Sequence, residues 1–296
     1  MNRRKPNLFI IGAMKSGTSS LHTYLNDHPD IFMCPRKEPS YFVEPKQLRE
    51  IWPELERKKL WGNEERYLAL FDGAREEKIL GESSTAYTKL NKVTGVAKRI
   101  FDFNPEARLI YVMRDPIERT ISHYWHSVAH DGEYRGLLKA LRAEPHYTEV
   151  SDYALQLKPY LDLFGSDNVM AITMEQMLSE KRRVIADIFD WLGVHSTYVP
   201  GNLHQIKNVA PKEMEKASGL GLLYRLRNSQ AWELIEGIVP KSAKRWATQR
   251  MTSKISKNTD ETPAAIDYLR PILQYKVRDL ETLLQRDFPE WKTLWG

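Results

Sequence analysis

The sequence predicts an α/β fold: a parallel β-sheet flanked by helices, with a C-terminal helical cap. Three observations carry that prediction. Short apolar runs at Leu8 to Ile11, Arg108 to Met113 and Asn168 to Thr173 lack polar alternation, as strands covered on both faces do. Each run is followed by a segment with helical spacing. A glycine-rich turn joins the first run to its helix, the opening of an α/β unit.

In order along the chain, Leu8 to Ile11 is bounded by Pro6 and Gly12, and Thr18 to Leu25 places Leu21, Tyr24 and Leu25 on one helical face before His28-Pro29 stops it. Ile31 to Phe42 supplies strand-like and loop elements interrupted by Pro35 and Pro39. Pro45 to Phe71, charged and aromatic with helical spacing near Trp61 to Phe71, reads as peripheral helices. Lys78 to Gly81 is a short strand and Val93 to Phe103 a helix. Arg108 to Met113 ends at Arg114-Asp115-Pro116, and a helix over Ile117 to His126 continues it. Asn168 to Thr173 leads to a helix running through Ile188, Trp191 and Leu192 to Gly193. These units make a doubly wound sheet whose strand order the pattern leaves open.

From Gly201 to about Thr262, tryptophans, basic residues and scattered glycines replace strand-helix alternation, which predicts a helical cap or long loops within one domain spanning 1–296. Ala264 to Leu284 is a long amphipathic helix, with Leu269, Leu273, Val277, Leu280 and Leu284 at three-to-four spacing. Asp287 to Trp291 packs the following segment onto the body.

Composition narrows the function. Over 296 residues, 42% hydrophobic and 28% charged describe a globular chain with a sizeable core. Cys34 is the single cysteine, which excludes an intrachain disulfide and any cysteine-rich zinc or iron–sulfur motif. The net charge of +5, from 44 basic against 39 acidic residues, is spread rather than blocked, and no aromatic-basic RNA motif accompanies it. That favours a phosphorylated small molecule or anionic acceptor over nucleic acid. The basic start at Arg3-Arg4-Lys5 precedes only four apolar residues, too few for a signal peptide, and no run reaches membrane-spanning length. The expectation is a cytoplasmic protein with no transmembrane segment.

The turn Gly12-Ala13-Met14-Lys15-Ser16-Gly17-Thr18-Ser19 has P-loop-type glycine spacing after a strand, so its amides and the helix N-terminus favour an anion. A nucleotide triphosphatase requires lysine directly after the second glycine. Here Thr18 follows Gly17 and the lysine has moved inside the turn as Lys15. This predicts a terminal anionic group held without a required metal.

At these residues the chain resembles the sulfotransferases that use 3'-phosphoadenosine 5'-phosphosulfate (PAPS). Lys15-Ser16-Gly17-Thr18 is similar to their 5'-phosphosulfate loop, and Arg114 to Tyr124 is similar to their second donor element, about 100 residues on. The resemblance implies that Lys15, Ser16, Gly17, Thr18 and Ser19 hold the phosphosulfate and that Arg114 and Ser122 bind the 3'-phosphate. Arg36-Lys37-Glu38-Pro39-Ser40-Tyr41-Phe42 resembles a segment of the carbohydrate branch, heparan sulfate sulfotransferases included, in which the glutamate matched by Glu38 is the general base. Read from the residues alone, Glu38 is first of all an exposed partner of Arg36 or Lys37, and the resemblance is what turns it into the candidate base. Tyr41 takes an aromatic pocket position, and Lys15 would stabilise the transferred and leaving groups.

Gly81 to Tyr87 resembles a substrate-side segment of the same branch, with Ser83 where several heparan sulfate members have lysine. Glu82 either orients Lys15, contacts the acceptor or forms a structural salt bridge. His22 is a second candidate base or an orienting residue, and His123 either faces the acceptor or closes its helix against the sheet. In the family a late basic loop folds over the donor, so Lys254 and Lys257 are donor contacts or ordinary solvated lysines. Trp232, Trp246 and Trp295 are a sugar platform or packing.

The function that accounts for these features together is transfer of a sulfuryl group from PAPS, leaving 3'-phosphoadenosine 5'-phosphate (PAP), to a hydroxyl, with an amine as second choice. The acceptor would be a saccharide, glycolipid or secondary metabolite. A magnesium-dependent small-molecule kinase and an inactive nucleotide-binding scaffold are the alternatives.

Overall fold

The computed structural model describes residues 3–51, 60–204, 213–217, 252–256 and 260–296. A five-stranded parallel sheet is built from β1 (Leu8–Gly12), β2 (Ile31–Met33), β3 (Ile79–Ser83), β4 (Arg108–Met113) and β5 (Val169–Thr173) in the order β2-β3-β1-β4-β5. β1 is central and buried throughout, with Leu8 level with Gly81 of β3 and Arg108 of β4. The chain leaves β1 for β2 on one side, fills the gap with β3, and crosses to β4 on the other. This reversal opens a crevice at the carboxyl ends of β1, β3 and β4, where open α/β sheets bind ligands.

Alternating side chains explain the unbroken apolar runs. Phe9 and Ile11 face one core with Leu80, Leu109, Tyr111 and Met113, while Leu8 and Ile10 face the other with Ile79, Ile110 and Val112. Helices α1 (Thr18–Leu25) and α10 (Lys181–Leu192) cover the second face through Leu21, Leu25, Ile185 and Ile188. The first face is covered by α4 (Val96–Phe103), α8 (Tyr153–Phe164) and α11 (Thr262–Leu284), the last burying Leu269, Leu273, Val277 and Leu280 at the expected spacing. Peripheral α2 (Pro45–Ile51) and α3 (Glu64–Leu68) lie between β2 and β3 in sequence, and α9 (Met174–Ser179) follows β5.

Helix α5 (Pro116–His130) continues one turn beyond the expected His126. Asp115 caps it, accepting from the amides of Ile117 at 3.0 Å and Glu118 at 3.2 Å, and Pro116 opens its first turn. The second Asp115 oxygen accepts from the Leu294 amide at 2.9 Å, and Glu118 accepts from Thr293 Oγ1 at 2.9 Å. Residues near α12 (Lys292–Trp295) are thereby fixed to the start of α5, with Trp291 fully buried and stacked on Phe288.

Two stretches depart from the sequence reading. Residues 127–167, which carry no clear pattern, hold α6 (Leu137–Ala143), α7 (His146–Glu149) and α8. Within the region expected to form a cap, the described residues of 201–262 include an antiparallel pair that the sequence does not announce, β6 (Glu213–Ala217) with β7 (Thr252–Ser256), which approaches α5. A pairing across so long a separation leaves no local trace in sequence. Trp232 and Trp246 lie outside the described residues, and Trp295 donates its indole N–H to the Phe288 carbonyl at 2.9 Å.

Beneath the carboxyl edge of the sheet lies a buried polar cluster. Glu82 on β3 is fully buried and accepts from Tyr67 at 2.9 Å, Tyr87 at 2.7 Å and Ser84 at 2.8 Å. Burial raises its carboxyl from 4.5 to about 7, against the three hydroxyl donors that favour the carboxylate. Between these values the folded chain holds a proton that the unfolded chain has released, so this stabilising contribution is full below pH 4.5 and is lost as pH rises through 7. Urea unfolding should show the stability of the wild type relative to Glu82→Gln falling by about 3 kcal/mol across that window. A difference independent of pH would mean that Glu82 is ionised throughout.

Candidate active site

β1 delivers the chain to a turn that tolerates no side chain at its first residue. At Gly12, φ is +156°, and a Cβ would lie 2.0 Å from Thr88 Oγ1 and 2.9 Å from Tyr111 Cε2. The turn closes through left-handed Lys15 (φ 70°) and Gly17 (φ 89°), with the Ala13 amide bonded to the Val112 carbonyl at 2.7 Å. The amides of Lys15, Gly17 and Thr18 donate to no carbonyl among the described residues. Ser16 Oγ is buried and has no partner among the described residues. These donors, with the N-terminus of α1, converge where an anion would be held.

Cations gather around that turn. Burial, and then the Arg114 guanidinium, lower the Lys15 ammonium below its ordinary value, which places two positive groups within each other's field. Arg114 pairs with Glu118 at 2.6 Å, and its backbone is locked by Tyr153, whose hydroxyl donates to the Arg114 carbonyl at 2.7 Å. Ser122 is half-buried on α5. Lys37 donates to Ser19 Oγ at 2.6 Å, joining the carboxylate-bearing loop to the first turn of α1. Like charges brought together in a partly desolvated site are favourable only toward an anion, and a donor with separated anionic groups fits this set.

Glu38 stands on the loop after β2, half-buried, and accepts from the Thr85 amide at 2.8 Å and from Thr85 Oγ1 at 3.2 Å. Lys89 lies within its field: burial lowers that ammonium to about 8, opposed by the Glu38 carboxylate. The sequence reading did not single out Lys89, nor His126. Burial pushes the His126 ring down to about 3, with Lys15 the foremost of the nearby cations, so a neutral imidazole lies in the field of the Lys15 turn. Its spacing of four from Ser122, on one face of α5, is the signal that could have found it.

Other expected residues lie elsewhere. His123 is 3% exposed, packed edge-on against His146 at 4.8 Å and Tyr147 at 5.0 Å, because one step from Ser122 turns the side chain onto the buried face of α5. Glu82 is fully buried, and its oxygens are taken by three hydroxyl donors, Tyr67, Ser84 and Tyr87. Tyr41 is stacked on Tyr67, with centroids 4.0 Å apart and planes 4° from parallel. His22 joins Ser83 Oγ at 2.7 Å, and burial followed by Lys37 lowers it to about 4, so it is a neutral strut between α1 and β3. Lys254 falls within strand β7 rather than a loop, and Lys257 lies outside the described residues. No helix among the described residues is long and apolar enough to cross a membrane.

Comparison with known proteins adds a family. Residues 6–198 match the model of the sulfotransferase family. Human heparan sulfate glucosamine 3-O-sulfotransferase 6 is 25% identical over 200 residues, 65% of this chain and 53% of that protein. The membrane-associated sulfotransferase kil1 of Dictyostelium discoideum is 32% identical over 123 residues, 42% of this chain and 23% of that protein. The chain therefore spans about a quarter of one of these relatives and about half of the other. The crystal structure of a sulfotransferase from Alicyclobacillus acidocaldarius superposes with a TM-score of 0.69 at 27% identity, covering 98% of this chain and 99% of that one. Since the matched span contains the glycine turn, the Glu38 loop and the Arg114 element alike, the chain belongs to the sulfotransferase family.

Proposed function

We propose that this chain transfers a sulfuryl group from PAPS to a hydroxyl of a saccharide or glycolipid acceptor, with Glu38 as general base. The observation that carries the reading is the meeting of Lys15 and Arg114 at uncommitted loop amides, with the Glu38 carboxylate on the neighbouring loop. PAPS would supply the activated sulfuryl group, and Lys15, Ser16, Gly17, Thr18 and Ser19 would hold its phosphosulfate. Arg114 and Ser122 would take the 3'-phosphate.

Glu38 would accept the acceptor's proton as the new S–O bond forms, and the S–O bond to the donor phosphate would break with its electron pair going to the departing oxygen. Lys15 would stabilise charge on that oxygen and on the transferred group, while the loop amides keep the line of attack. Lys89 lies in the field of the Glu38 carboxylate.

The names of the relatives support a saccharide: a heparan sulfate glucosamine 3-O-sulfotransferase and carbohydrate sulfotransferase 15. The local residues argue against copying the heparan substrate. Ser83 is buried and committed to His22, so it offers no cation to an acidic polymer where several heparan sulfate members have lysine.

Calorimetric titration with PAP tests the donor site. Wild type should bind PAP without magnesium, and Lys15→Ala and Arg114→Ala should each weaken binding at least about tenfold, or 1.4 kcal/mol. No PAP binding, with magnesium-dependent ATP binding in its place, would overturn the reading in favour of a kinase. For the transfer step, radiolabelled PAPS offered with desulfated chondroitin and heparan oligosaccharides, glycolipids and phenols identifies the acceptor class. Glu38→Gln should then lower kcat by about 10²- to 10⁴-fold with PAP affinity retained. Wild-type turnover in that variant would remove Glu38 from the chemistry.

A further inference from the structure

The turn that presents Glu38 is held in a conformation its residues do not favour. Glu38 and Ser40 both have positive φ, 53° and 54°, in the left-handed region that side chains with a Cβ disfavour. With Pro39 between them, only two backbone N–H groups are available to fix this turn, those of Glu38 and Ser40. The Glu38 amide donates to the Ser83 carbonyl at 2.9 Å. The Ser40 amide, on a fully buried residue, donates to Ser84 Oγ at 3.0 Å.

Ser84 is oriented for that task. Its hydroxyl proton goes to Glu82 Oε2 at 2.8 Å, which leaves the oxygen lone pairs for the Ser40 amide. Glu82 is itself fixed, because its other oxygen accepts from Tyr67 at 2.9 Å and Tyr87 at 2.7 Å. The same Tyr67 stacks on Tyr41, so one tyrosine ties down the residue after Ser40 and the carboxylate behind Ser84. Residues 82 to 85 thus act in sequence: Glu82 orients Ser84, Ser83 and Ser84 hold the turn, and Thr85 grips the Glu38 carboxylate.

We infer that Ser84, oriented by buried Glu82, is the positioning residue for Glu38, holding the Glu38–Ser40 turn in the geometry that aims the carboxylate at the acceptor. The inference rests on Glu38 being the base, and it gives Glu82 a role that its burial would otherwise leave purely structural. Removing the Ser84 hydroxyl strands the buried Ser40 amide, the turn relaxes out of the left-handed region, and Glu38 leaves Thr85.

The test joins amide NMR of Ser84→Ala and Glu82→Gln with turnover on radiolabelled PAPS and desulfated chondroitin oligosaccharide. In Ser84→Ala, exchange of the Ser40 amide should accelerate at least tenfold, and the Thr85 amide proton should move upfield as its carboxylate partner departs. Glu82→Gln, which keeps the shape of the side chain, should move both signals in the same directions by less. Turnover in Ser84→Ala should fall at least tenfold, with acceptor KM and PAP affinity within twofold of wild type. In a Glu38→Gln background the same change should cost less than twofold. Unmoved Ser40 and Thr85 signals, or an equal loss of turnover in both backgrounds, would overturn the inference. The amide signals need no acceptor, so they decide the hold on the turn separately from the base: wild-type turnover in Glu38→Gln alone would refute the base, while shifted signals would still support the hold.

Discussion

The site depends on the close approach at the end of β1. Gly12 passes against Thr88 and Tyr111 with no room for a side chain, and Thr88 fixes the contact by donating to the Ile11 carbonyl at 2.8 Å. Thr88 ends the short 3-10 turn that begins at Thr85, and Thr85 holds the Glu38 carboxylate. The Lys15 turn and the Glu38 carboxylate therefore share one junction. A displacement of β1 would carry the Lys15 turn and the Glu38 grip together, which keeps the two halves of the proposed reaction in register. Close-packed interiors transmit such displacements instead of absorbing them.

Around that junction, the same residue types do different work according to their surroundings. Glu38 is half-buried and bonded by Thr85, while Glu82 is sealed among hydroxyls and raised toward neutrality. Two carboxylates so separated by environment suit separate roles: in the proposed reaction Glu38 takes the acceptor's proton, while Glu82 fixes geometry. The cations divide likewise. Lys15 and Arg114 share one field at the glycine turn, Lys37 spans from the Glu38 loop to Ser19, and Lys89 lies in the field of Glu38.

Much of this was legible in the sequence because it is local. The strands at Leu8 and Arg108 are apolar on both faces, and the displaced lysine of the glycine turn distinguishes the donor class within eight residues. Side-chain direction was less legible. His123 and His126 are three residues apart on one helix, yet one faces the interior and the other lies near Lys15, and only the packing of α5 decides between them. Glu82 looks like a site carboxylate beside Ser83 and Ser84, but its partners Tyr67 and Tyr87 reach it from other elements. Helix α8 was missed for a local reason: it is apolar on several sides, with Pro159 inside it, and shows no single stripe. The β6–β7 pair was missed because its partners are distant in sequence.

The bond from the Leu294 amide to Asp115 joins residues 179 positions apart. On a ribosome this imposes an order of events. The sheet strands and the glycine turn emerge early, but the start of α5, which carries Arg114, lacks its full set of partners until the segment from Phe288 to Leu294 has been translated and has packed. A nascent chain that has made every strand of the sheet thus still lacks the contacts that fix the start of α5.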